Sequence, residues 1–260
     1  MIRIVVAGAS GWVGKALVPA IAAQGDLVLA GAVSRSAAGQ EVLPGLHIVA
    51  TLEAALAVPS DVVIDYTKPN VVKDHVLTAL RAGRRVVVGT SGLGADDYAE
   101  IAALAEERGL GVVAAGNFSI TATLLKRFTL MAARYVPDVE IIDYASAKKM
   151  DSPSGTAREL AEMLSAVRGA STARPLGEVT GIPATRGAAV GEGAGVQVHS
   201  LRLPSYILSC EALFGLPDER LTIRHDAGSS AAPYVGGTLL AARKVMEITG
   251  LVRGLDGLMA

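Results

Sequence analysis

The chain has 260 residues, of which 51% are hydrophobic and 19% are charged, and its formal net charge is −1. This balance can fill a packed core and excludes wholesale disorder, while the near-neutral charge argues against nucleic acid as a main partner. The single cysteine, Cys210, excludes an intrachain disulfide, no Cys/His spacing suggests a metal site, and no run approaches the ~18 apolar residues of a membrane span. We expect a cytoplasmic globular protein that has no membrane partner.

The first half of the chain alternates short apolar runs with helical patterns. We predict six strands, at residues 2–7, 27–33, 46–50, 61–66, 85–88 and 110–115. A helix follows the first strand, and Pro19 should bend it or end it early. Further helices are predicted to open near Pro69 and to cover residues 95–108. Strands that are apolar throughout and separated by helices indicate a parallel sheet covered on both faces, the doubly wound α/β pattern.

The regular alternation of strands and helices ends after Gly116. Helices are predicted at residues 119–134, 156–167 and 234–249, and strands at 139–147, 196–203, 206–214 and 220–226. A glycine-rich stretch of low periodicity separates the second of these helices from the clustered strands. Strands clustered after a helix predict a second, α+β domain with a sheet of its own, mostly antiparallel or mixed.

The first strand leads into a glycine-rich segment, residues 8–14, with the pattern G-x-x-G-x-x-G. Glycine allows a tight turn and a close approach of the backbone to a pyrophosphate, and the helix that follows points its N-terminal N–H groups at that anion. Glycine triplets also occur in ordinary strand–helix turns. The position of this one, after the first strand and before the first helix, favours a Rossmann dinucleotide site.

The second strand ends in Val33-Ser34-Arg35-Ser36, where NAD-specific sites usually carry an acidic residue. No carboxylate is present to repel a 2′-phosphate, Arg35 offers a fixed charge and Ser34 a hydroxyl. The alternative is that Arg35 is a solvated loop residue. The pattern predicts NADPH as the preferred cofactor, with NADH as the alternative.

Two later loops follow strands of the same predicted sheet, Gly89-Thr90-Ser91-Gly92 and Gly116-Asn117-Phe118-Ser119. Open α/β sheets bind ligands at the carboxyl ends of their strands, and small residues would let the backbone lie beside a nicotinamide ribose. Either loop alone is also compatible with plain turn chemistry.

The third motif runs from Lys148 to Thr156, where a strand ends in two lysines and a helix opens at Gly155-Thr156. Free N–H groups at a helix start, the hydroxyls of Ser154 and Thr156 and a nearby lysine suit a small carboxylate ligand. The alternative is a capped helix beside a solvated lysine pair.

In their order, these motifs resemble those of the dihydrodipicolinate reductase family over nearly the whole chain. The matching segments are residues 8–14, 61–67, 89–92, 117–119, 149–156, 199–202 and 219–221, with His225. The resemblance implies a Rossmann domain of residues 1–116 and 227–260, and a substrate-binding and oligomerisation domain of residues 117–226. It further implies a homotetramer and hydride transfer from NAD(P)H to a cyclic dicarboxylate, as in diaminopimelate and lysine biosynthesis.

The resemblance also assigns site residues. The family's carboxylate-binding positions correspond to Lys149, Gly155 and Thr156. Its cofactor positions correspond to Gly8, Ala9, Ser10, Gly11, Trp12, Val13, Arg35, Gly89, Thr90, Ser91, Ala115, Gly116, Asn117 and Phe118.

One departure concerns the proton donor. The family carries two adjacent histidines before the lysine, the first being the proposed acid, and that spacing falls on Ala145 and Ser146. Alanine has no proton to give, and Ser146 is a poor acid that could still bind substrate. Protonation then falls to Lys148, Lys149, Tyr144 or water, and Lys149 is our candidate catalytic residue. If the pocket has room, we expect Ala145→His to raise turnover.

The sequence therefore predicts an NAD(P)H-dependent reductase, most simply a 4-hydroxy-tetrahydrodipicolinate reductase. Two alternatives stay open because of the missing histidines. One is an imine or enoyl reductase that acts on a different small carboxylate, and the other is a catalytically inactive nucleotide-binding homologue.

Overall fold

A computed structural model describes residues 1–259, which divide into two units. Unit 1 comprises residues 1–120 and 231–259, and unit 2 comprises residues 121–230. The strands are β1 (Ile2–Ala7), β2 (Leu27–Val33), β3 (Glu41–Leu43), β4 (Leu46–His47), β5 (Val62–Asp65), β6 (Arg85–Val88), β7 (Gly111–Ala114), β8 (Val139–Ala145), β9 (Ala188–Val190), β10 (Val196–Arg202), β11 (Leu208–Leu216), β12 (Glu219–Ala227) and β13 (Gly250–Arg253). The α-helices are α1 (Gly14–Ala22), α2 (Leu52–Leu56), α3 (Val72–Arg81), α4 (Ala95–Glu107), α5 (Ile120–Ala132), α6 (Gly155–Val167) and α7 (Ala232–Lys244).

Unit 1 is built on a six-stranded parallel sheet in the order β13-β7-β6-β5-β1-β2. Side chains alternate between its faces, so Ile4 and Val6 pack with α1 and α7, whereas Val5 and Ala7 pack with α2, α3 and α4. Both faces are therefore buried, as the continuous apolar strands predict. The arrangement is Rossmann-like and brings the carboxyl ends of the strands to one edge.

Two predictions about this sheet are wrong. The strand predicted over 46–50 meets the sheet only at Val49, which forms one parallel bridge with Val33 of β2, because Gly45, at φ +76°, allows a tight turn that pairs Leu46–His47 with Glu41–Leu43 in a separate hairpin. The sixth strand is instead β13, directly after the helix that we predicted over 234–249, in a stretch for which we predicted no strand. Helix α7 ends at Lys244, and Gly250, at φ +83°, starts the new strand.

Pro19 lies inside α1, which continues for three residues beyond it and ends at Ala22. The proline therefore removes one backbone hydrogen bond near the end of a short helix without ending the helix where it stands.

Unit 2 has a five-stranded sheet in the order β12-β11-β8-β10-β9, in which only β10 and β8 run parallel. This is the mixed sheet that the clustered strands predict. Helix α6 packs on β8, β9 and β10, and its buried Leu160 and Leu164 share a core with Ile141 and Phe214. Among residues 1–259, no helix combines the length and apolar character needed to cross a membrane.

Candidate active site

The glycine-rich loop of unit 1 packs too closely for side chains at two of its positions. A Cβ on Gly8, at φ +87°, would lie 2.2 Å from the carbonyl oxygen of Tyr66, and one on Gly14 would lie 2.1 Å from that of Gly8. The amides of Gly8 and Ala9 both donate to the carbonyl of Val33, at 2.9 and 3.0 Å. The loop is thereby held against the ends of β2 and β5, directly ahead of α1, and its carbonyls at Gly11 and Val13 accept from the Lys15 and Ala16 amides of that helix at 3.0 Å.

Three serine hydroxyls and an arginine lie at the end of β2. The Ser10 and Ser34 Oγ atoms lie 2.6 Å apart, and Ser36 Oγ lies 3.3 Å from Ser34 Oγ. Arg35 is exposed, and within residues 1–259 it forms no ion pair. Three hydroxyls and an unpaired guanidinium are a donor set that suits a phosphate.

Asp65 is a buried carboxylate that our sequence reasoning did not single out. It has no exposed surface and accepts hydrogen bonds from the Thr67 amide (3.0 Å), Thr67 Oγ1 (2.7 Å) and Thr90 Oγ1 (2.6 Å). Its other oxygen lies 2.8 Å from His75 Nδ1. Asp65 thus ties the loop after β5 to the predicted cofactor loop after β6. An acidic residue in an otherwise apolar strand was the signal available in the sequence.

Aromatic rings surround the same edge of the sheet. A Cβ on Gly89 would lie 2.2 Å from the Tyr66 ring, which explains glycine at this position. The Tyr66 hydroxyl lies within hydrogen-bond distance of Thr238 Oγ1, at 2.7 Å. The Tyr66 ring packs edge-on against the ring of Phe118, with 6.1 Å between the ring centroids. Trp12 is 58% exposed and packs edge-on against Tyr234.

The structure brings the predicted cofactor residues of unit 1 to the carboxyl edge of one sheet. The segments 8–13, 34–35, 89–91 and 115–118 follow β1, β2, β6 and β7, and these strands are parallel. The Asn117 side chain accepts from the Ser119 amide at 2.8 Å, which shapes the last of these loops. This is the edge at which doubly wound folds bind ligands.

In unit 2, a second buried carboxylate organises the lysine-containing loop. Asp143 accepts hydrogen bonds from the Ser154 amide (2.8 Å), Ser154 Oγ (2.6 Å), Ser200 Oγ (3.2 Å) and Arg202 (2.7 Å). Burial alone would raise the pKa of Asp143, but the hydrogen bonds from Ser154 and Arg202 outweigh it and hold that pKa below its usual value. Asp143 was also missed by the sequence analysis.

Ser154 is the N-cap of α6, and its hydroxyl accepts from the Ala157 amide at 3.3 Å. A Cβ on Gly155 would meet no atom within 4 Å, so the start of α6 is open at this residue. The predicted carboxylate-binding segment therefore presents a helix start whose first N–H groups have no intrahelical acceptor.

Lys149 precedes this helix and forms an ion pair with Asp151 at 2.7 Å, with 31% of its side chain exposed. The hydrogen bond from Lys149 lowers the pKa of Asp151. The Lys149 amide donates to the Ser146 carbonyl at 2.9 Å, and Ser146 Oγ lies 3.4 Å from the Lys148 amide. Ser146 and Lys149 are thus placed in one turn.

Tyr144 does not suit the acid role that we considered for it. It lies between Asp143 and Ala145 on β8, so its side chain is on the opposite face of the sheet. Its hydroxyl donates to Glu211 at 2.8 Å, and burial, followed by this hydrogen bond, raises the pKa of Tyr144 to about 12.

Comparison with known proteins settles the family. A family model described as dihydrodipicolinate reductase, N-terminus, matches residues 2–118, and one described as dihydrodipicolinate reductase, C-terminus, matches residues 121–259. This chain belongs to the dihydrodipicolinate reductase family. The 4-hydroxy-tetrahydrodipicolinate reductase of Synechococcus elongatus is 39% identical over 272 residues, covering 99% of this chain and 98% of that protein. That of Bacillus pumilus is 37% identical with the same coverage.

Solved structures agree with this family. The dipicolinate-bound dihydrodipicolinate reductase from Paenisporosarcina sp. TG-14 superposes with a TM-score of 0.88 at 31% identity, over 99% of both chains. An amine dehydrogenase from Mycobacterium smegmatis, at 14% identity and a TM-score of 0.64, shares the fold alone. The predicted family, fold and class are therefore confirmed: the chain is an NAD(P)H-dependent reductase of the dihydrodipicolinate reductase family.

Ala145, where the family places its first histidine, has no exposed surface. The condition attached to our sequence prediction is therefore not met, and an imidazole ring would have to displace packed neighbours. We expect Ala145→His to lower the free energy of unfolding by about 1–3 kcal/mol and to leave turnover unimproved. Urea unfolding and initial-rate measurements check this.

The matched control is Ser146→His, because Ser146 is partly exposed. We expect Ser146→His to lower the free energy of unfolding by less than Ala145→His does. If Ala145→His is as stable as the wild type and turns over faster, the site has room for the ring and this interpretation is wrong.

Proposed function

We propose that the chain reduces 4-hydroxy-tetrahydrodipicolinate, with NADPH as the preferred reductant. The observation that carries this is the open helix start at Gly155-Thr156, beside Lys149 and held by a buried carboxylate. A cyclic dicarboxylate offers the anionic group that such a start and an ammonium bind. Family membership supports the same substrate.

The residues of unit 1 fit a dinucleotide. The glycine loop allows the close backbone approach that a pyrophosphate needs, and the positive N-terminal end of α1 follows it directly. Residues of the loops after β6 and β7 would hold the nicotinamide half, and Ser34, Ser36 and Arg35 the adenosine half. When bound, the cofactor supplies a hydride. We propose that unit 1 is the dinucleotide-binding domain and unit 2 the substrate-binding domain.

On the side of the substrate, the chain has to bind one carboxylate and provide a proton. Lys149 and the amides of Gly155 and Thr156 would hold the carboxylate, with the hydroxyls of Ser154, Thr156 and Ser146 nearby. Because Tyr144 is engaged with Glu211, protonation falls to Lys149, to Lys148 or to water. We propose Lys149 as the catalytic residue.

The missing histidines favour a second candidate function. A general acid contributes about 10²- to 10⁴-fold in rate, so weak turnover of the family's substrate would direct attention to another small cyclic imino acid or enoyl carboxylate. Cofactor binding with no turnover of either class would indicate an inactive homologue.

We further propose a cytoplasmic homotetramer. The nine-residue strand β12 is an edge of the unit 2 sheet, and Leu221 on it is 46% exposed. A long exposed edge of this kind is normally covered, and a second copy of the chain would cover it.

The function is tested by following NADPH oxidation with freshly generated 4-hydroxy-tetrahydrodipicolinate. We expect turnover by the wild type, and a higher KM and weaker dipicolinate binding in Lys149→Ala, because the variant loses a charged carboxylate partner worth about 1.5–3 kcal/mol. NADPH affinity should stay nearly unchanged. No turnover despite tight NADPH binding would contradict the proposal.

The cofactor preference is tested by measuring dissociation constants for NADPH and NADH. We expect NADPH to bind about 10- to 100-fold more tightly, because a charge-assisted contact to the 2′-phosphate is worth roughly 1.5–3 kcal/mol. Arg35→Ala should remove most of this difference and leave NADH affinity unchanged. Equal affinities in the wild type, or an unchanged NADPH affinity in Arg35→Ala, would reject the assignment.

A further inference from the structure

Arg202, at the end of β10, is used almost entirely within unit 2. Its two terminal nitrogens make four hydrogen bonds, to the carbonyls of Asp143 (3.2 Å), Leu201 (2.9 Å) and Asp151 (2.8 Å) and to the Asp143 carboxylate (2.7 Å). The side chain is only 18% exposed. A guanidinium has five N–H donors; four are used here and the fifth, on Nε, is buried, so Arg202 has no exposed donor left for a ligand. Arg202 therefore connects the sheet to the loop that carries Asp151.

Asp143 connects the same sheet to the other end of that loop. It accepts from both the amide and the hydroxyl of Ser154, the residue directly before Gly155. The loop from Asp151 to Ser154 is thus fixed at both ends by one ion pair that sits on β8 and β10. Lys149, paired with Asp151, lies two residues before the first anchor.

We propose that Asp143 and Arg202 are positioning residues, which set the carboxylate affinity of Lys149, Gly155 and Thr156 without touching the substrate. The inference rests on the proposed function. A buried carboxylate with four hydrogen-bond donors has one low-energy arrangement, and it transmits that arrangement to the first N–H groups of α6. A displacement of these groups by about 1 Å can cost on the order of 100-fold in a positioned reaction.

The test uses dipicolinate, which measures carboxylate binding separately from turnover. In Arg202→Lys the charge remains, but a single ammonium cannot reproduce the planar fork that joins Asp143 to Asp151. We expect its dipicolinate dissociation constant to rise about 10- to 100-fold, with a parallel rise in the substrate KM. The NADPH dissociation constant should change by less than about twofold, because the cofactor residues lie in the other unit.

Ser200→Ala is the matched control. Ser200→Ala removes the longest of the four hydrogen bonds to the Asp143 carboxylate, at 3.2 Å, and leaves the bonds from Ser154 and Arg202 that reach the loop, so its dipicolinate affinity should stay within about twofold of the wild type. Asp143→Asn serves as a second variant and should behave like Arg202→Lys. Thermal unfolding identifies the variants that are folded at the assay temperature.

Unchanged dipicolinate affinity in folded Arg202→Lys and Asp143→Asn would overturn the inference, as would an equal loss of NADPH and dipicolinate binding. If the wild type binds dipicolinate but does not reduce 4-hydroxy-tetrahydrodipicolinate, the proposed function fails. The variants then still decide the positioning role by their dipicolinate affinities.

Discussion

A carboxylate that is shut off from water must take its hydrogen bonds from the protein, and two such groups, Asp65 in unit 1 and Asp143 in unit 2, lie near the carboxyl ends of strands. Asp65 and Asp143 both have no exposed surface. Leaving either without partners would cost several kcal/mol, so the groups that satisfy them are held in place. Those groups belong to the loops that carry the site residues.

The two carboxylates order different kinds of structure. Asp65 takes hydrogen bonds from Thr67 and Thr90, which sit on two loops of the cofactor edge. Asp143 takes its hydrogen bonds from a helix cap and from Arg202. Asp65 thus orders loops of small residues at the edge of one sheet, whereas Asp143 fixes the start of α6.

The sequence predicted best those elements that depend on continuous apolar runs. Strands β1, β2 and β6 begin and end at the predicted residues, because their buried runs are bounded by glycine or by polar residues. Strand β13 was missed because its sequence, Gly-Leu-Val-Arg, has only two adjacent apolar residues, whereas the equally short β6 carries three consecutive valines. The run after Gly45 has the pattern of a strand, but Leu46–His47 pair locally in a hairpin and only Val49 bridges the sheet, because periodicity does not distinguish a hairpin from a sheet strand.

In the candidate site, too, features set by local sequence could be predicted and features set by tertiary contacts could not. The glycines are visible in the sequence because a close backbone approach demands them, and the lysine-containing motif is visible because a charged side chain and a capping serine precede a helix start. The pairings Asp65–Thr90 and Asp143–Arg202 join residues that are 25 and 59 positions apart, and only the register of the sheets brings them together. The burial of Ala145 is likewise a product of packing, and no local pattern announces it.

Hydrogen exchange of the folded wild type, Asp65→Asn and Asp143→Asn, read by mass spectrometry, tests most directly whether these carboxylates order the functional loops. We predict faster exchange at residues 66–67 and 89–91 in Asp65→Asn and at residues 151–157 in Asp143→Asn, each with the other unit unchanged. Exchange in these loops that matches the wild type, in variants that remain folded, would contradict the account.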